Sequence, residues 1–179
     1  DSPYNKRRQS CERAAAAIAG NHPEVKLLGD ATLEMLEEVK DKISEEDYMR
    51  ATYAIQENSR LADTCEALKR GDYETVGKNI YATHHGMSKL YEVSTEELDF
   101  LNDVAKECGV TGSRIMGGGF GGCTINLVKD AYYDRFIETA ISRFKTKFGK
   151  EPKVYPVTIS DGARKYAMFI DCDHLSRIV

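Results

Sequence analysis

The chemically most suggestive residues of this 179-residue chain lie between Ser113 and Val128. There Gly117, Gly118, Gly119, Gly121 and Gly122, interrupted by Phe120, make five of six consecutive positions glycine. Glycine costs backbone entropy and is used where φ must be positive or where another group must approach the main chain. Such a loop presents unobstructed N–H groups, which can form a concavity for an anion. The same composition also serves a tight hairpin whose glycines only satisfy turn geometry. Gly117, Gly119 and Gly122 match G-x-G-x-x-G, but a dinucleotide fingerprint needs a helix after the glycines, and Cys123 to Val128 reads as a strand. No Lys-Ser/Thr pair follows, so this is not a Walker A loop. The V-A-I-K, H-R-D and D-F-G segments of protein kinases are also absent.

Other reactive residue types are less suggestive. His84-His85 are adjacent, and neighbouring helical residues point about 100° apart, so the pair is poorly placed to share one metal. Glu45-Glu46 and Glu96-Glu97 fall in first helical turns, where negative charge favours the positive end of the helix dipole. Cys123 sits in an apolar strand, which predicts a buried, inert thiol. Tyr4 lies at a helix mouth beside Arg7-Arg8, and its ring and hydroxyl could face a polar ligand; ordinary helix packing with solvated arginines accounts for the same residues.

The elements around these residues change character along the chain. Ser2-Pro3 opens a helix from Tyr4 to Ala19, with Cys11, Ala14, Ala15 and Ile18 at helical spacing and Gly20-Asn21-His22-Pro23 ending it. Asp30 is expected to cap a short helix carrying Leu33, Leu36 and Val39. Ser44 opens the next, which runs to about Arg70 with a stripe of Ala51, Ala54, Ile55, Leu61, Ala62, Cys65 and Leu68 and stops at Gly71. Tyr73 to Leu90 marks another helix. Ser94-Thr95-Glu96-Glu97 reads as a capping box ahead of Leu98, Leu101, Ala105 and Cys108, and Gly109 closes that helix. Two strands flank the glycines. Asp130 is expected to cap a helix with Tyr133, Phe136, Ile137, Ala140, Phe144 and Phe148, ended by Gly149. Val154 to Ile159 reads as a strand, Ser160-Asp161-Gly162 as a turn and Ala163 to Ile170 as a last strand. The pattern predicts an α+β fold, helices packed on one face of a small antiparallel sheet.

Length suits a single domain over residues 1–179. With 41% apolar and 30% charged residues the composition is that of a globular protein. A net charge of −4 without a basic stripe lacks the electrostatic footprint of nucleic-acid binding. The five cysteines are widely spaced with no C-x-x-C, which predicts reduced thiols in a cytoplasmic protein and neither a disulfide frame nor a zinc site. No apolar run is long enough for a membrane span, and no signal peptide is visible. The chain begins Asp1-Ser2-Pro3-Tyr4 without methionine and reads as cut from something longer.

Two segments together resemble the galactokinases, within the GHMP small-molecule kinase family. Tyr4-Asn5-Lys6-Arg7-Arg8-Gln9-Ser10-Cys11-Glu12 is similar to that family's Y-N-x-R-R-x-x-C-E segment, and Gly117-Gly118-Gly119-Phe120-Gly121-Gly122-Cys123-Thr124 to its third motif. Between them, Tyr91-Glu92-Val93-Ser94 with Glu97-Leu98-Asp99 resembles the stretch ahead of that motif, and His84 falls where galactokinases carry a histidine. Thr95-Glu96 replaces the usual Cys-Pro, and Ser88-Lys89 the frequent Arg-Asp. The sugar-clamping motif (G-R-x-N-L-I-G-E-H-x-D-Y) and the Gly/Ser-rich phosphate motif are missing.

The resemblance therefore implies the C-terminal domain of such a kinase, ferredoxin-like in fold, without the N-terminal domain that houses the catalytic Asp, the magnesium-side groups and the phosphate loop. It implies a parent enzyme that phosphorylates α-D-galactose at C1 with ATP and Mg²⁺, with Tyr4 against the sugar and Gly117–Gly122 supporting the phosphate loop. No catalytic or metal-binding residue is expected in the chain itself. The chain alone is expected to be inactive, to hold no cofactor by itself, and to show apolar surface where the other domain sits. Phosphorylation of N-acetylgalactosamine or arabinose, or ligand sensing without catalysis, are the alternatives that the resemblance leaves open.

Overall fold

A computed structural model describes residues 2–157. Within them the order is α1 (Pro3–Ala19), α2 (Leu33–Glu37), α3 (Glu45–Lys69), α4 (Tyr73–Lys89), α5 (Glu96–Glu107), β1 (Gly112–Met116), β2 (Cys123–Leu127) and α6 (Asp130–Phe148). This is the expected α+β arrangement, with helices packed on a small antiparallel sheet. β1 and β2 pair antiparallel, from Gly112 opposite Leu127 to Met116 opposite Cys123, so the six residues Gly117–Gly122 form the hairpin connection. β1 lies against α4 and α5, and β2 against α5. Val154–Val157, part of an expected strand, adopts no regular structure; the rest of that strand, the turn at 160–162 and the expected strand at 163–170 lie outside the described residues.

The helices start where local chemistry directs. The Ser2 hydroxyl accepts the N–H of Asn5, with Pro3 as the first helical residue. The Ser44 hydroxyl accepts the N–H of Asp47. Three starts differ from expectation by a residue or two. Thr32, not Asp30, caps α2, because the Asp30 carboxylate is engaged by the N–H groups of Lys26 and Leu27. Thr95 caps α5 through the N–H of Leu98, while the neighbouring Ser94 hydroxyl donates to Asp99, so there is no Ser94 capping box. Lys129 stands at the cap of α6, and Asp130 is its first residue.

Apolar side chains collect in three clusters. Ala14, Ile18, Leu36, Val39, Ala51 and Ile55 join α1, α2 and the first half of α3. Val104, Ala105, Cys108, Phe136 and Ala140 join α5 to α6. Met87, Val93, Leu98 and Ile115 form the third, between α4, α5 and β1. The stripe expected along all of α3 is buried only at Ala51 and Ile55; Leu61, Ala62, Cys65 and Leu68 are exposed, because α4 packs on a different face of that half, where Ala67 is buried and Asn79 bonds Asp63 and Thr64. At the other end of the molecule Tyr4, Met116, Phe120 and Ile125 are exposed at or beside the hairpin.

Candidate functional site

Tyr4 and the glycine turn, far apart in sequence, meet in space. The Tyr4 hydroxyl donates to the Gly119 carbonyl at 3.3 Å across a separation of 115 residues. Its ring stands edge-on to Phe120, centroids 5.1 Å apart at 87°, a favourable geometry for two aromatic quadrupoles. Tyr4 is still 53% exposed, so its ring and hydroxyl line an open corner.

The turn has the backbone that its composition requires. Gly117, Gly119, Gly121 and Gly122 all have positive φ, and Phe120, an L-residue, is held at φ 59. At Gly119 (φ +83) two demands coincide: a Cβ there would lie 2.2 Å from the Val93 carbonyl oxygen. The reason for that proximity is a hydrogen bond, Phe120 N–H to Val93 C=O at 2.6 Å. The N–H groups of Gly118, Gly119 and Gly121 donate to no carbonyl among the described residues. Open amides of this kind form an anion-binding concavity.

Arg7 connects this turn to the rest of the molecule. Its Nε donates to the Tyr91 carbonyl at 2.9 Å and its Nη2 to the Glu92 carbonyl at 2.6 Å. Its guanidinium also lies 5.1 Å from the Phe120 ring centroid. Glu92 is held in the left-handed region (φ 53). Its carboxylate meets Arg50 at 3.0 Å and Arg7 at 3.8 Å. Arg50 is almost fully buried, pairs also with Glu46, and donates to the Ser10 hydroxyl. Arg13 grips Asp47 with two hydrogen bonds of 2.7 and 2.8 Å and holds that carboxyl below the usual range. Arg7-Arg8 thus divide: Arg7 is an internal tie, while Arg8 is solvated and paired with Glu12 one turn along its own helix. Neither the destination of Arg7 nor the role of Glu92 was legible in the residues. The only signal was the Tyr91-Glu92-Val93-Ser94 similarity, which named the stretch without its contacts.

The other candidates separate cleanly. His84 is buried and its Nε2 lies 3.1 Å from Asp99 Oδ1, whereas His85 is exposed. Among the described residues no three His, Cys, Asp or Glu side chains converge as a metal site requires. Glu96 and Glu97 meet Lys147 of α6 and Lys150 just beyond it at 2.9 and 3.4 Å, as first-turn carboxylates. Cys123 is half-buried, not fully buried as expected, because β2 leaves it only partly covered.

The His84 pair makes stability pH-dependent. Burial pushes the His84 pKa down, against the opposing charge of Asp99. Burial works to raise the Asp99 carboxyl, but hydrogen bonds from Ser94 and Ser88 and the charge of Lys89 hold it below its ordinary value. For His84 the folded pKa lies below the unfolded value of 6.5, so the unfolded chain takes up the proton first. Its contribution is complete above that pH and is lost as pH falls. The half-buried His22, raised chiefly by its hydrogen bond to Glu38, acts in the opposite sense. The informative quantity is therefore a difference. Melting curves from about pH 8 to 5 should show a shallower acid decline for His84→Gln than for the unaltered chain. Parallel declines would contradict this account.

Residues 65–146 match the family described as GHMP kinases C terminal. The chain carries a GHMP kinase C-terminal domain. The chain is 41% identical over 167 residues to a galactokinase of Fusobacterium nucleatum, a match that covers 92% of the chain and 43% of that protein. It is 42% identical to a galactokinase of Clostridium beijerinckii over the same shares. It superposes with a TM-score of 0.77 and 29% identity on the crystal structure of Lactococcus lactis galactokinase complexed with galactose, covering 84% of this chain and 39% of that one. The chain thus spans less than half the length of these relatives. No helix among its described residues is long and apolar enough to cross a membrane.

Proposed function

We propose that this chain is the C-terminal domain of a galactokinase, which transfers the γ-phosphoryl group of ATP to the C1 hydroxyl of α-D-galactose. One observation carries the reading: Tyr4 and the glycine turn share an exposed corner, joined by the Tyr4–Gly119 hydrogen bond and the Tyr4–Phe120 ring contact. Tyr4 there faces the sugar, offering a ring and a hydroxyl. The turn packs beside the phosphate loop of an N-terminal domain, where open amides and positive-φ glycines suit a close anionic neighbour. The galactokinase names of the relatives and the bound galactose of the Lactococcus lactis protein support the sugar.

Phosphoryl transfer depends mainly on positioning and charge stabilisation. This chain contributes positioning. Among the described residues no three His, Cys, Asp or Glu side chains converge to hold a metal ion by themselves. The metal, the base that takes the C1 proton and the γ-phosphate cradle belong to the other domain. The four thiols among the described residues are unpaired, which supports a cytoplasmic setting.

The test joins the chain to an N-terminal domain of a close relative and follows ADP release with galactose and ATP. Turnover is expected from the joined protein and none from the chain alone. Tyr4→Phe, which keeps the ring and drops the hydroxyl, should raise KM for galactose about tenfold with kcat less affected. Turnover by the isolated chain, or a joined protein that prefers N-acetylgalactosamine or arabinose, would overturn the reading.

A further inference from the structure

We propose that Arg7 is a positioning residue for the glycine turn, acting through the main chain of the link between α4 and α5. This rests on the kinase reading only for what the turn does; the clamp itself rests on geometry. Arg7 binds the carbonyls of Tyr91 and Glu92 at 2.9 and 2.6 Å. The next carbonyl along, that of Val93, holds the Phe120 N–H at 2.6 Å. Three consecutive carbonyls are thus engaged by two groups that also touch each other, because the Arg7 guanidinium packs 5.1 Å from the Phe120 ring. The left-handed turn at Glu92 is what directs these carbonyls, and it carries local strain. Arg7 and Arg50 both converge on the Glu92 carboxylate and so hold that conformation from α1 and α3. The Arg7 side chain is only 12% exposed, although it sits about one turn from the start of α1 and three residues from Tyr4.

This arrangement needs arginine. A guanidinium offers several donors in a fixed planar fork and a flat face for stacking on a ring. An ammonium in the same place reaches one carbonyl and loses the stacked face. Arg7 therefore links the residue that faces the sugar to the turn that faces the phosphates: Tyr4 and Arg7 share α1, and Phe120 receives both.

Hydrogen exchange on the chain tests the clamp without reference to activity. Arg7→Lys should speed exchange of the Phe120 amide at least about tenfold while Val104 and Ala105, buried in α5, keep their rates. Glu92→Gln, which leaves the carbonyls in place, should produce a smaller increase. Arg8→Lys, on the solvated side of α1, should produce none. Unchanged Phe120 exchange in Arg7→Lys, or equal acceleration throughout the chain, overturns the clamp. In the chain joined to the relative's N-terminal domain, Arg7→Lys should lower kcat about tenfold, more than it raises KM for galactose. Faster Phe120 exchange with unaltered kcat overturns the positioning role. If the unaltered joined protein does not phosphorylate galactose, the kinase reading fails, and the exchange rates alone decide the clamp.

Discussion

Gly119→Ala is expected to cost the joined protein at least about a hundredfold in the kcat/KM of the proposed kinase reaction, on the scale of a roughly 1 Å misplacement of catalytic groups. The new methyl would begin 2.2 Å from the Val93 carbonyl oxygen and 2.7 Å from Val93 Cβ. Val93 cannot retreat, because it is buried among Met87, Leu98 and Ile115. The turn must move instead, and with it the Phe120 amide bond and the carbonyl that accepts the Tyr4 hydroxyl. Backbone strain at φ +83 adds about 1–2 kcal/mol. Gly117→Ala separates the two contributions. It has a similar φ of +81 but meets nothing within 4 Å, so it should show strain alone and a much smaller loss. Steady-state kinetics of both variants decides the matter; equal losses would mean that the Val93 contact has no special role.

Gly77→Ala should destabilise the fold by about 3 kcal/mol, at the upper end of ordinary overpacking. The sign is opposite to helix propensity, which favours alanine over glycine by about 1 kcal/mol in a helix interior. Gly77 lies within α4 and is buried. A Cβ there would stand 2.0 Å from the Thr111 carbonyl oxygen and 2.7 Å from its carbon. Across the contact a Cβ on Gly112 would lie 2.8 Å from the Gly77 Cα. Helix and strand therefore touch backbone to backbone, and neither can yield by a rotamer change. For a chain of this size the loss corresponds to a Tm lower by about 6–12 °C. A melt of Gly77→Ala at or above the unaltered Tm would show that α4 does not press on β1 in this way.

Features decided within a few residues were legible in the sequence. Ser2-Pro3, Ser44, Gly109 and Gly149 mark helix ends because capping uses the nearest side chain or the one residue that tolerates positive φ. Where two capping candidates stand close together, as Asp30 and Thr32 or Ser94 and Thr95, the choice turned on which one another group had engaged, and spacing does not encode that. The exposed half of the α3 stripe has a similar cause. Periodicity at Leu61, Cys65 and Leu68 shows that a face is apolar, not what covers it. The meeting of Tyr4 with the turn followed from the family resemblance and not from local pattern. Arg7 stayed hidden because its partners are main-chain carbonyls 84 and 85 positions away, and a carbonyl leaves no trace in residue identity.

The three separate apolar clusters bear on how such a corner fails. Tyr4 rides on α1, whose packing belongs to one cluster, and the turn hangs from β1, whose packing belongs to another. Their contact lies where the two clusters meet, bridged by Arg7 and Arg50 on the Tyr91-Glu92 link and by Tyr53 of α3 packed against the second of them. Loosening either cluster separates ring from turn while every helix remains wound, so warming would silence the corner well before circular dichroism registered any melting.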